Sequence, residues 1–563
     1  MSRRSSIWII AIPVLTMLAI NAQSHAQVPV RTVALSGQSA PGTEAGVVFE
    51  EGTPFSPLGI DAAGRTAFLG FLTGSSIDES NDRGIWTESS GTLALLARKG
   101  DPAPGTDDGV VFSQFNEMQM NREARIVFES ELTGPGVDED NNQGIWSDGS
   151  GTLVLLARTG SPAPGTGDGV VFLDFRDVLI NAENQVAFAG VLDGPGVDGV
   201  NREGVWSEVD GTLQLLVRGG DIAQGTGDDL FITFNFLAFN SAGQIVVSPS
   251  ILGAGGENTG IWIGSDPLEL VALAGDSTGA GGTPAPGVPD ANFSDLFTPV
   301  DVDAEGRSAF VAEIAGAGVD VTNDTGIWAG TVDELALVAH EGDAAPNTDA
   351  GVNFDEFDRI LGGTPRINAG RVAFHATLIG TDIDETNNEG IWSGEPGALA
   401  LVARAGDEAP DTAGATFVGA DLEPAINGTG QIAFNGLLTG AGVDFSNDGG
   451  IWIQDADASV RLIVREGDEV SAALGDVRTI TTLGFSPASG GEGGRSTCLN
   501  DEGEIVFTAG FFDGTAGIFV TPGENLATEC GLCAPGATMA TMFMLPFLYG
   551  FRRRKWRCGP RNH

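Results

Sequence analysis

The chain has 563 residues, a formal net charge of −48, 83 glycines and a single tyrosine. Its 42% hydrophobic content excludes a disordered acidic tail as a description of the whole. With 76 acidic against 28 basic side chains, no nucleic acid will be held by counterion release. Four histidines, two of them at the ends (His25 and His563), argue against a histidine-based metal enzyme.

In chain order, residues 1–26 read as a secretory signal. Arg3 and Arg4 give the positive start, and Ile7 to Ile20 is an apolar run of 14, too short to span a bilayer. Ser24 and Ala26 supply the small residues for cleavage. A retained membrane anchor is the alternative.

The body that follows is dominated by internal repetition. Gly-Ile-Trp or a close variant ends at Trp86, Trp146, Trp206, Trp262, Trp328, Trp392 and Trp452, and an eighth copy ends at Phe519. The spacings are 60, 60, 56, 66, 64, 60 and 67 residues. Each unit reads as four short strands. The first carries Leu-Ala-Arg (residues 96–98 in one copy) and runs into the turn-rich Gly-Asp-Pro-Ala-Pro-Gly of 100–105. The second runs from Val110 to about Met120 and ends in a turn opened by Asn121; Asp61 and Asn240 open the same turn elsewhere. The third is Arg125–Phe128, followed by an acidic loop from Gly134 to Gln143, and the fourth carries Trp146. Apolar runs are short, β-branched or aromatic, and no helical period appears outside the ends.

Eight four-stranded units of about 60 residues predict an all-β fold, an eight-bladed β-propeller. A β-solenoid is the competitor, and the termini discriminate. The last unit stops at Val520 with no Leu-Ala-Arg strand after it, whereas the chain opens with the matching strand, Thr32 to Gly37. An open solenoid has no use for such complementarity. A ring does, because pairing the two ends removes both sheet edges. The expected organisation is a signal at 1–26, a propeller at 28–522 closed by the N-terminal strand, a linker at 523–535 and an apolar, basic-ended tail at 536–563.

Two repeated constellations stand out as candidate sites. The acidic loops place oxygen side chains at alternate positions: Asp78, Ser80 and Asp82; Asp138, Asp140 and Asn142; Asp320, Thr322 and Asp324; Asp384, Thr386 and Asn388; Asp444, Ser446 and Asp448. Alternating oxygens followed by Gly can wrap a hard cation such as Ca2+, and the same residues also cap turns through their own backbone. Both readings stay open. The second constellation is Arg98, Arg158, Arg218, His340, Arg404 and Arg465 at one repeat position, mostly with Asp three residues on. These cations either ring an axial channel and hold an anion, or pair with Asp to tie loop to blade. Nucleophilic triads, Walker, Rossmann and zinc spacings find no support. Carboxylates are too abundant for a glycosidase pair to stand out. Cys498 is the one cysteine of the body and is expected to be buried.

At the far end, Cys530-Gly-Leu-Cys533 precedes an apolar stretch from Gly536 to Phe551 and then Arg552-Arg-Arg-Lys555. A short motif, a hydrophobic segment and a basic stop resemble the PEP-CTERM and MYXO-CTERM classes of bacterial C-terminal sorting tails, without the Pro-Glu-Pro motif. The resemblance implies retention in the membrane through the basic stop, cutting by a dedicated sorting protease, and a processing or lipid-attachment role for Cys530 or Cys533. An ordinary membrane helix or a Cys530–Cys533 disulfide are the alternatives. The Asn-x-x-Gly-x-Trp repeats, from Asn81 and Asn141 to Asn447, are similar to those of bacterial surface proteins with sorting tails, and that similarity carries no activity with it. The expected function is therefore an exported, surface-anchored binding or structural module with a glycan or protein ligand. A propeller lyase or glycosidase acting on extracellular polysaccharide is the alternative.

Overall fold

Alternating buried residues on short strands, with glycine at most tight turns, favour a series of small antiparallel sheets. The computed structural model describes residues 27–523 except 53, 210, 254–255, 356, 358–363, 419–423 and 486–492. The expected signal, the Cys530/Cys533 motif and the tail lie outside the described residues. Eight sheets follow one another along the body, each with four principal strands. Blade 2 shows the plan: inner strand Val111–Met120, then Ile126–Thr133, then Gln143–Ser147 with the tryptophan, then outer strand Val154–Arg158. The strand counted first in the sequence unit is therefore the outermost strand of the preceding blade.

The N-terminal strand closes the ring. The outer strand of blade 8 is the N-terminal Arg31–Leu35, which pairs antiparallel with Ala516–Val520. Side chains in the turns after the inner strands also link neighbouring blades. Asn121 Nδ2 donates to the carbonyl of Asn181, Asn181 to that of Asn240, and Asn240 to that of Asp303, at 2.8–3.1 Å. Further round, Asn427 donates to the Asn500 carbonyl and Asn500 to that of Asp61, at 2.8 and 2.9 Å. The same residues cap their own turns: Asn121 Oδ1 accepts from the backbone of Glu123 and Arg125. Asn121, Asn181, Asn240, Asn427 and Asn500 thus each shape a hairpin and link it to the next.

Each blade core is an aromatic triad. In blade 2, Phe112 meets Trp146 edge-on at 5.0 Å and Phe128 stacks on it at 6.0 Å. This group packs against Ala67, Ile85 and Ala97 of blade 1, so the tryptophan face seals the joint between blades. All seven body tryptophans are fully buried. Their indole N–H groups, which burial would leave costly if unpaired, donate at 2.8–3.2 Å to a carbonyl in the loop that enters the same blade: Pro41, Pro104, Pro164, Gln224, Pro286, Pro346 and Pro410. The glycine two residues before each tryptophan lies under its ring. A Cβ on Gly144 would come within 2.6 Å of Trp146.

Candidate functional site

The propeller has two unlike faces. The Asx hairpins lie on one, called here the hairpin face. The acidic loops and the proline loops lie on the other, the loop face.

On the loop face, the candidate oxygen ligands are already engaged within each loop. Asp78 Oδ1 accepts from the Ser80 backbone and hydroxyl at 2.9 and 2.6 Å. Asp320 does the same with Thr322, Asp384 with Thr386 and Asp444 with Ser446. In blade 2, Asp138 accepts from the Asp140 backbone at 3.1 Å. Hydroxyl hydrogen bonds, followed by backbone ones, hold Asp78, Asp320, Asp384 and Asp444 below the usual carboxylate range. The third ligand position acts through its carbonyl. Asp82, Asn142, Asp324, Asn388 and Asp448 each accept an N–H from the neighbouring strand, at 2.7–2.8 Å. The loop asparagine supplies the rest: Asn141 Oδ1 accepts the Asp138 N–H and its Nδ2 donates to Gly136 O. The first aspartates thus cap their own turns, and the Asp82 carboxylate pairs with Lys99 at 2.9 Å; among the described residues no three His, Cys, Asp or Glu side chains gather to hold a metal.

The expected channel ring is not formed by the repeated cations. Arg98, Arg158, Arg218, His340, Arg404 and Arg465 end the outermost strands, as far from the axis as a blade allows. The error was one of phase, since the strand that carries them closes a blade rather than lining the centre. Five arginines donate Nε to the carbonyl of the loop asparagine, Asn81, Asn141, Asn201, Asn387 and Asn447, at 2.5–2.9 Å. They tie loop to blade through a carbonyl. The aspartate three residues on accepts from the arginine backbone at Asp221 and Asp468. His340 is buried there, and its Nε2 finds no partner among the described residues.

The axis is occupied by a strap that the repeat pattern gave no reason to expect. Residues 493–500, between the first two principal strands of blade 8, cross toward the inner strands of the first blades. Thr497 O accepts the Ile60 N–H, Ser496 Oγ that of Met120, Gly494 O that of Ile180 and Gly493 O that of Phe239, at 2.8–3.2 Å. Arg495 donates to Leu237 O at 3.1 Å and pairs with Asp177 at 3.4 Å. Asp301 of blade 5 lies fully buried nearby and accepts the Ile367 N–H; burial raises its pKa, against the pull of Arg366 and Arg495.

Between blades 2 and 3, Glu129 is 6% exposed and takes a hydrogen bond from Asn116 at 3.2 Å. Burial, with Glu117, Asp174 and Glu131 close by, pushes its carboxyl up to about 7. The equivalent position beside the stacking phenylalanine is Ala189 in blade 3, so only knowledge of the blade joint exposes Glu129 as unusual.

Three successive stretches of the chain, residues 18–161, 143–280 and 278–523, match one family model, a family of unknown function, DUF7453. The chain belongs to the DUF7453 family. No curated protein matches it. Among solved structures, this DUF7453 chain is similar to the β-propeller domain of the Trilobed protease from Pyrococcus furiosus, at 10% identity over 74% of this chain and 98% of that one, with a TM-score of 0.34. It is similar to the Dos1 propeller at 8% identity over 84% and 94% of the two chains, TM-score 0.34. For an acylaminoacyl peptidase of Pyrococcus horikoshii the figures are 10%, 77% and 53%, with a TM-score of 0.32, so the propeller spans about half of that enzyme.

Proposed function

We propose that this propeller is an exported, surface-anchored binding module, carried by a rigid ring and held at the envelope through its C-terminal tail. The observation that carries the binding role is the constancy of the loop frame beside the variability of its tip. Six loops share the same Asp and Asn hydrogen bonds, yet the residue after the first aspartate is Glu79, Glu139, Gly199, Val321, Glu385 or Phe445. A fixed scaffold with changing exposed tips is how loops serve recognition. The axial carboxylates Asp177 and Asp301 are committed to the strap and its neighbours, which leaves them a structural role. Anchoring rests on the apolar segment and basic stop that end the sequence, with Cys530 and Cys533 as processing or lipid-attachment positions for a sorting protease.

Two measurements test the reading. Cell fractionation should place the protein in the envelope, and replacing Arg552, Arg553, Arg554 and Lys555 by Gln should release it to the medium; unchanged fractionation rejects the anchor. A screen of the purified chain against glycan and peptide arrays should give reproducible ligands. Turnover of a polysaccharide in place of simple retention would instead favour an enzyme.

A further inference from the structure

The most exposed large apolar side chains are not scattered. Val321 is 83% exposed, Phe445 95%, Leu474 107% and Phe512 81%, and all four cap turns on the loop face, in blades 5, 7 and 8. Exposed apolar side chains mark an interaction site where they gather rather than stand singly. Leu474 and Phe512 sit on two different hairpins of blade 8 that are braced together. Arg478 donates to Thr515 at 2.6 Å, pairs with Asp476 at 2.8 Å and Asp513 at 3.6 Å, and lies over the Phe511 ring. The two tips are therefore held in place.

Each apolar tip is followed or preceded by a carboxylate: Asp320 beside Val321, Asp444 beside Phe445, Asp476 near Leu474 and Asp513 beside Phe512. Hydrogen bonds from Thr322, Ser446, Arg478 and Thr515 hold these carboxyls below their ordinary range, so they stay charged. Between blades 7 and 8, next to the Phe445 loop, opens a cleft of about 560 Å³ lined by Asp411, Glu466 and Asp468, with Arg465 as its one basic wall residue. Gly523 lies against Glu502 and Glu504, on the hairpin face.

Building on the surface-module reading, we infer that blades 7 and 8 of the loop face dock a basic polypeptide segment whose aromatic or aliphatic side chains seat on Phe445, Leu474 and Phe512 while its Arg or Lys side chains enter the acidic cleft. Apolar prongs beside fixed carboxylates suit a ligand that is cationic and apolar at once. A neutral or anionic partner would meet the same carboxylates as a repulsive or unpaired surface.

The test uses the full chain in mild detergent at physiological ionic strength and three short fluorescent peptides, alternating Arg with Leu, Arg with Ser, or Glu with Leu. The Arg–Leu peptide should bind and the other two should bind at least roughly tenfold more weakly. The triple variant Phe445→Ser, Leu474→Ser, Phe512→Ser should lose roughly tenfold or more in affinity, the scale of losing anchoring side chains, with its circular dichroism melt unchanged. Equal binding of the Arg–Leu and Arg–Ser peptides, or an unaffected triple variant, overturns the inference. So does concentration-dependent self-association abolished by the triple variant, which would make a second copy the occupant. Retention on the glycan array without peptide binding also overturns it while leaving the module reading intact. Binding to neither overturns both.

Discussion

Blades 2 and 8 follow one strand plan and differ at two linked places. In blade 2 the indole of Trp146 donates to Pro104 of the entry loop. In blade 8 that loop is replaced by the strand Glu469–Ala473, and the tryptophan by Phe519, which is just as buried. Phe519 still stacks on Phe507 at 5.7 Å, so core filling alone never required an indole. Tryptophan recurs in the other seven blades because their loops need its N–H, and where the loop goes the donor goes. Freed from that constraint, blade 8 also carries the ring closure, the strap and the exposed Leu474 and Phe512.

The comparison can be broken most severely at the closure. Deleting residues 31–35 strips blade 8 of its outer strand and exposes the Ala516–Val520 edge. The expected outcome is loss of a sharp thermal transition by circular dichroism, with aggregation visible by light scattering.

A smaller effect separates Glu129 of blade 2 from Thr508, its counterpart in blade 8. An acid raised from 4.5 to about 7 on folding holds its proton in the native state while the unfolded chain has released it. Native stability therefore falls as pH rises from about 4.5 to 7 and stays lower above that window. Glu129→Gln removes this dependence. Urea titrations of the two proteins should nearly coincide at pH 4 and diverge by pH 8, with the variant more stable by an amount on the order of 3 kcal/mol.

Next in size, Trp146→Phe should cost about 2 kcal/mol, from lost volume and an unpaired Pro104 carbonyl. The reciprocal Phe519→Trp should not stabilise blade 8, because no proline carbonyl waits there. Chemical denaturation of both variants checks this, and a gain in the second would show that volume rather than the hydrogen bond selects the residue. The smallest effect belongs to the loops. Asn141→Ala removes the bonds to Asp138, Gly136 and Arg158, lying on an exposed loop, and should shift global stability by less than about 1 kcal/mol. Hydrogen exchange in residues 136–142 should nevertheless accelerate, with the loops of other blades unchanged.

Much of this architecture was legible from the chain alone. The spacing of Trp86 to Phe519 yields eight units, and the missing last strand against the extra first one yields a ring. Residue type and period carry that information because each unit repeats one packing problem. The phase of the blade was harder: the strand ending in Arg98 lies between Arg83–Thr87 and Val111–Met120 in sequence, and pairing decides which sheet it joins. That misplacement moved the cations to an imagined axis. The strap was hidden for the opposite reason, since Gly493 to Thr497 resembles ordinary loop composition and its partners Ile60, Met120, Ile180 and Phe239 are hundreds of positions away or nearly so. The loop aspartates show a further limit, because the same alternating oxygens serve a cation or a turn, and their spacing alone does not separate the two.

The strap also sets a timetable for folding. Blades 1 to 4 leave the ribosome long before residues 493–497, yet the backbone N–H groups of Ile60, Met120, Ile180 and Phe239 find their native acceptors only on that late segment or its side chain. Until it arrives, the nascent polypeptide is an unfinished arc with an unsealed hub. Completion comes as a single late event in which the youngest part of the molecule locks the oldest.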